Sequence, residues 1–216
     1  MDKLPFDPYD FFGYLSSGFI VLIGLHILFG FPAVVGVDLK PVDYAFLILA
    51  TYVAGQIVAT PAKWLLEDVV VGKMLYAPNV NLMRNRAPRP GRWVFPNFYK
   101  PLPKGRLEAI WAKAGSTLEG EALFLAIRFC PAILSNERLL TRIDGFRDRY
   151  GFNRNLSFTC LSFGTGVLVK THFVFDPTLR QYGWTALIVG ILLFYRYLKF
   201  YRQYSYELFN TYGDSA

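Results

Sequence analysis

The chain has 216 residues, of which 53% are hydrophobic and 18% charged, and a mean hydropathy of +0.28. Soluble domains typically carry about 25% charged residues, and here the apolar residues also gather into long runs, so composition points away from an ordinary water-soluble globule. The formal charge of +7 and pI of 9.4 suit nucleic acid, an anionic membrane face or an acidic partner, and positive charge beside apolar spans is also what cytoplasmic membrane loops carry.

The opening segment, Met1-Asp2-Lys3-Leu4-Pro5, lacks a strong positive region, and Asp7 and Asp10 follow it. A cleaved signal peptide is therefore not expected, and the apolar run that comes next is longer than a signal peptide's core. Four charge-free windows then stand out, at 11–37, 44–62, 155–169 and 181–195. A spanning helix needs about 20 apolar residues, since roughly 30 Å of hydrocarbon is crossed at about 1.5 Å per residue. The first two windows meet this unaided. The last two reach it if Lys170 and Arg196 snorkel to the headgroups along their alkyl stems. Tyr182, Trp184, Tyr195 and Tyr197 fit an interfacial belt, and Gly164, Gly166 and Gly190 suit spanning helices. The competing reading of the last two windows is a buried hairpin of a soluble domain.

Between the second and third windows, residues 67–155 hold 15 of the 23 lysines and arginines. The positive-inside rule places this region and both termini in the cytoplasm. Its 77–105 stretch is proline-rich and is expected to be irregular or extended. Its 116–150 stretch reads as two amphipathic helices. A capping-box spacing at Ser116 and Glu119 starts the first, Ser135 caps the second, and Gly151 offers a helix C-terminus. Leu139, Ile143, Phe146 and Tyr150 share one face.

The expected fold is therefore an all-α membrane protein with about four transmembrane helices and a partly helical cytoplasmic region between helices 2 and 3. Residues 1–66 supply the first pair of spans and 156–204 the second, with a cytoplasmic tail at 205–216.

Few side chains point to chemistry. His26 lies inside the first window, where an ionisable group is costly and often functional, although a neutral imidazole can also simply hydrogen-bond within the bundle. His172 and Asp176 are four apart, too few for a metal site. Glu67 and Asp68 are neighbours, and on a helix neighbours diverge, so they form no acid–base pair. Cys130 and Cys160 form no Cys-x-x-Cys pattern, which leaves neither a zinc ribbon nor a disulfide framework. No phosphate-binding, metalloprotease or nucleophile-elbow motif occurs. No enzyme, metal or cofactor is expected.

Packing signals are stronger. Gly13 and Ser17, and Gly55 and Ala59, are small residues four apart in the first two windows. Such pairs let helices approach closely in lipid, within one chain or between copies. Gln56 is hard to hide in hydrocarbon and should face a helix or a lumen. In the basic region Arg84, Arg86, Arg89 and Arg92 cluster ahead of Trp93, Phe95, Phe98 and Tyr99. Arginine beside aromatics suits anionic lipid, with the rings as interfacial anchors, or single-stranded nucleic acid, with the rings as stacking platforms. Proximity to the second span favours lipid, a cytoplasmic protein partner comes next and nucleic acid last.

The run Asp7-Pro8-Tyr9-Asp10-Phe11-Phe12-Gly13-Tyr14-Leu15, together with Tyr150-Gly151-Phe152-Asn153-Arg154-Asn155-Leu156, resembles stretches of small multi-pass bacterial inner-membrane proteins of unassigned function. Some of those accompany defence systems as effectors that disturb the inner membrane. The resemblance implies an oligomeric membrane-perturbing effector or pore subunit controlled by its cytoplasmic region. It carries over no catalytic residue. The alternative is a membrane anchor or scaffold that recruits a cytoplasmic partner without transport or catalysis.

Overall fold

The computed structural model describes residues 8–31, 40–84, 89–114 and 120–214. Arg86, Asp38 and the capping-box residues Ser116 to Glu119 lie outside them. Among the described residues the fold is entirely helical: α1 (Pro8–Phe29), α2 (Pro41–Ala62) with a π-helical extension (Lys63–Leu75), α3 (Pro78–Arg84), α4 (Arg89–Val94), α5 (Lys104–Ala114), α6 (Gly120–Arg128), α7 (Pro131–Leu134), α8 (Glu137–Phe173) and α9 (Pro177–Asp214).

Local chemistry explains most boundaries. Proline, with its φ pre-set and no N–H to satisfy, opens α1, α2, α3, α7 and α9. The Asp43 carboxylate accepts the Lys40 N–H at 2.8 Å and sits in the positive first turn of α2. Gly30, at φ +73°, ends α1 and donates its N–H to the His26 carbonyl at 3.0 Å, a left-handed C-terminal cap that costs glycine little. Pro61 removes one donor from the ladder of α2. Just beyond it the Lys63 N–H is shared by the Ala59 and Thr60 carbonyls, and the helix continues in wider π turns. That extension stops at Tyr76, at φ +61°, whose carbonyl accepts the Asn81 side-chain amide at 2.8 Å.

Four local expectations are revised. The 77–105 stretch contains α3 and α4, because Pro78 and Pro90 fall in first turns where proline favours a helix. The cap of α8 is Asn136, whose Oδ1 accepts the Leu139 N–H at 3.2 Å, and not Ser135. Gly151 does not end that helix. Its missing side chain costs only about 1 kcal/mol in a helix interior, and packed residues on either side, Ile143 before it and Val167 after it, hold the helix continuous. Finally, α9 runs on to Asp214, so the segment expected as a tail carries the buried Leu208 and Phe209.

Three helices are long and apolar enough to cross a membrane, within Phe11–Phe29, Pro41–Met83 and Pro177–Gly213. The fourth expected span, in α8, is not among them. Asn153, Arg154 and Asn155 at one end and Lys170 and His172 at the other shorten its apolar stretch.

The chain divides into two compact units, Met1–Leu66 with Gly151–Tyr197, and Glu67–Tyr150 with Leu198–Ala216. In the first, glycines set the crossings. A Cβ on Gly18 would strike the Thr51 carbonyl, and one on Gly55 the Tyr14 carbonyl, so α1 and α2 touch backbone to backbone and run antiparallel. Gly13 faces Phe152, Gly24 faces Phe163 and Gly166 faces Leu28. Both numbers of each pair rise together, so α1 and α8 run parallel. Gly164 meets Gly183 and Leu187, and Gly190 meets Leu161, which makes α8 and α9 antiparallel.

The second unit has its own core. Leu82, Met83, Leu102, Ile110, Leu123, Ile127, Ile133, Ile143, Tyr204, Leu208 and Phe209 pack together, contributed by α3, α5, α6, α7, α8 and α9 and by the segment before α5. These side chains form a close-packed interior of their own.

Candidate functional site

The side chains singled out from the sequence separate into those used inside the helical packing and those left on the surface. Gly13, Ser17 and Gly55 are consumed internally. Ser17 is fully buried and its hydroxyl donates to the Gly13 carbonyl at 2.8 Å, the back-bonding by which a helix hides a hydroxyl. Ala59 is half-buried. The close approach on α1 belongs as much to Gly18, which the four-residue spacing from Gly13 and Ser17 passes over.

His26 is exposed, and its Nδ1–H donates to the Phe31 carbonyl at 2.6 Å. It tidies the end of α1. The same helix end receives Lys170, whose ammonium donates to the Ile27 carbonyl at 2.5 Å. A lysine expected to snorkel instead satisfies an orphan carbonyl at a helix C-terminus. Asp176, expected beside His172, caps α9 through the Leu179 N–H at 3.0 Å.

The polar residues of α8 turn inward. Asn153, Asn155, Ser157, Thr159 and Thr171 are all buried. Thr159 donates to the Asn155 carbonyl at 2.9 Å, and Ser157 reaches across to the Gly190 carbonyl of α9 at 2.8 Å. Hydropathy gave no reason to single out Ser157, whose value lies in the glycine opposite. An apolar groove of about 160 Å³ runs among Ile20, Val21, Gly24, Leu28, Val58 and Phe163. Its lining suits an acyl chain and offers a polar substrate little to bind.

Gln56 behaves differently from these. It is exposed on α2, on the side away from the buried Thr51, Gly55 and Ala62. It neither faces a neighbouring helix nor lines a lumen among the described residues.

In the second unit, Arg84 lies in α3 and Arg89 and Arg92 in α4. Arg92 is exposed, and Trp93 is 87% exposed. The aromatic series is split by packing. Phe98 and Tyr99 are buried and meet edge to face at 5.1 Å, whereas Trp93 points outward. Among the described residues the buried Tyr99 hydroxyl has no hydrogen-bond partner, and it is close enough to Gly91 that a Cβ there would approach it to 2.5 Å. Burial pushes its phenol above the usual range.

Three carboxylates of this unit, Asp144, Asp148 and Glu207, form ion pairs. Asp144 takes Arg128 at 2.9 Å and Arg147 at 3.3 Å, Arg147 also reaches the buried Asp148 at 3.4 Å, and Glu207 takes Arg142 at 3.0 Å. Burial lowers the affinity of the Arg147 guanidinium for its proton, but Asp144 and Asp148 more than reverse that, and its pKa is raised. Paired carboxylates of this kind orient helices. Among the described residues no group of three or more His, Cys, Asp or Glu side chains is placed to hold a metal ion.

No family model, curated protein or solved structure matches the chain.

Proposed function

We propose that the chain is a multi-pass membrane anchor that presents a folded, basic helical module at an anionic membrane face, where it docks to lipid and recruits a cytoplasmic partner. The observation that carries this reading is the independent core of the second unit. Segments 67–150 and 198–216 also hold 16 of the 23 basic residues but only 10 of the 16 acidic ones, so about +6 of the +7 charge belongs to that unit. Exposed Trp93 beside Arg92 suits an interface with anionic headgroups, where each basic residue contributes about 1 kcal/mol.

In this account four helices cross a bacterial inner membrane, α8 among them. Its modest hydropathy is no obstacle, because its asparagines and several hydroxyls are buried against protein, where polar groups in membrane helices belong. The basic module and both termini are cytoplasmic. Nothing is conducted or catalysed.

A second reading, an oligomeric effector that perturbs the membrane, is favoured by the outward position of Gln56. One experiment separates the two. Trp64, Trp111 and Trp184 are replaced by Phe, leaving Trp93 as the reporter, and the full chain is placed in bilayers containing brominated anionic lipid. The anchor reading expects salt-sensitive quenching of Trp93, and expression of the parent chain in cells that leaves the membrane potential intact. Depolarisation on expression supports the effector. Unquenched Trp93 removes the lipid-docking part of the anchor reading.

A further inference from the structure

Gln56 stands near the middle of α2, between the charged residues Asp43 and Lys63 that bracket its apolar stretch. Its side chain is exposed, and no hydrogen bond to its amide is formed among the described residues. Hydrocarbon offers no partner, and an unsatisfied amide there is costly. The neighbouring polar side chains do not share this condition, since Ser17, Ser157 and Thr159 all hydrogen-bond within the unit.

The surface around Gln56 has a regular pattern. Most of α2 is exposed, and on the face of Gln56 the exposed Val42, Phe46, Leu49, Val53, Gln56 and Thr60 are spaced alternately by four and three residues. At about 100° per residue they fall within an arc of roughly 80°. The buried face of α2, formed by Thr51, Gly55 and Ala62, lies on the opposite side. A seam with a 3.5-residue repeat is the one along which two helices can stay in contact over several turns.

We propose that this seam of α2 is a self-association surface, and that Gln56 of one copy pairs with Gln56 of a second copy of the chain. The argument for that occupant is chemical. A carboxamide holds both donors and an acceptor, so a symmetric crossing satisfies two amides reciprocally with no other group required. Bulky Phe46, Leu49 and Val53 supply the packing, and the amide pair fixes the register. The small residues Gly18 and Gly55 cannot serve this contact, because they are already in use between α1 and α2.

The proposal rests on α2 crossing the bilayer, and the test keeps the two apart. The full chain is reconstituted in liposomes as parent, Gln56→Leu and Gln56→Asn, and association is followed by energy transfer between labelled copies. Leu49→Cys and Val53→Cys are oxidised in parallel, with Leu192→Cys, a comparably exposed position on α9, as the control. The expected result is cross-linking of the two α2 cysteines above the Leu192→Cys background. Association should weaken by roughly tenfold in Gln56→Leu, which loses two interhelical hydrogen bonds, and by less in Gln56→Asn, which keeps an amide. A monomeric parent, or a Gln56→Leu variant that associates like the parent, overturns the proposal. Gln56→Cys tests the premise separately. If α2 spans, that thiol resists an impermeant maleimide from either side, and labelling would overturn the membrane reading itself.

Discussion

Lys170 of α8 donates its ammonium to the backbone carbonyl of Ile27, one turn from the end of α1, at 2.5 Å. The contact joins residues 143 positions apart and fixes the register in which the two helices run parallel. It also answers two needs at once, since the last carbonyls of a helix lack intrahelical donors and an ammonium near hydrocarbon needs an acceptor.

Replacing Lys170 by Met keeps the length of the side chain and removes the donor. The expected loss is about 1.5 to 3 kcal/mol, the value of a hydrogen bond to a charged group. It is read as a lower melting temperature of the detergent-solubilised protein. His26→Ala, which removes a hydrogen bond at the exposed end of α1, should cost less.

The α1–α2 crossing predicts a sharper effect. At Gly55 an added Cβ would meet the Tyr14 backbone, and backbone cannot swing aside as a side chain can. Gly55→Ala should therefore cost roughly 3 kcal/mol, the upper end for overpacking, and Gly18→Ala a similar amount. Gly145→Ala, on α8 with open space around it, should be neutral or slightly stabilising by helix propensity. Thermal denaturation of the three variants checks the order.

Asp144 is the hub of the ion pairs in the second unit. Arg128 keeps only 15% of its side-chain surface exposed while Arg147 keeps 48%. Asp144→Ala takes the carboxylate from the largely buried Arg128, which keeps its contact with Tyr204, and should cost about 2 kcal/mol. Arg147→Ala leaves Asp144 its other partner but takes a guanidinium from the buried Asp148, and should cost a similar amount. Urea unfolding followed by far-ultraviolet circular dichroism compares them.

The buried Tyr99 hydroxyl gives a pH dependence. Burial raises its pKa above the ordinary value of 10.0, so above pH 10 the unfolded chain loses the proton first. Its contribution is fully present below that pH and is lost as pH rises through the folded value. Tyr99→Phe removes both this titration and an unpaired polar group. Its alkaline unfolding midpoint should lie higher than the parent's, with a smaller gain at pH 7 from losing the unpaired hydroxyl, as monitored by circular dichroism across an alkaline titration.

These residues also mark what the sequence made legible. The helical class and the first two apolar helices follow from runs that no soluble helix needs. Of the amphipathic face read as Leu139, Ile143, Phe146 and Tyr150, the last three meet the core of the second unit, and at its start Leu140 packs there in place of Leu139. The second unit's extent was less visible, because α9 looks like a span and tail until Leu208 and Phe209 are seen packed with Leu82 and Ile110. Glycine gave a half-signal. Four-residue spacing picked out Gly55, but the partner surface on α1 is centred on Gly18, and only the crossing geometry tells which glycine is used. The aromatics after Arg92 look alike in sequence, and tertiary packing alone separates buried Phe98 and Tyr99 from exposed Trp93. Gln56 was legible as a polar residue in an apolar helix. That it points away from its own bundle depends on where α1 lies.

The claim on which the account turns is that four helices, α8 among them, cross the membrane and that the basic module between α2 and α8 lies on the cytoplasmic side. The direct measurement is a pair of dual topology reporters, one fused after Arg106 in α5 and one after Asp176 in the short connector between α8 and α9, expressed in bacterial cells. The account predicts cytoplasmic activity at Arg106 and periplasmic activity at Asp176. Periplasmic activity at Arg106, or the same side for both, would contradict it.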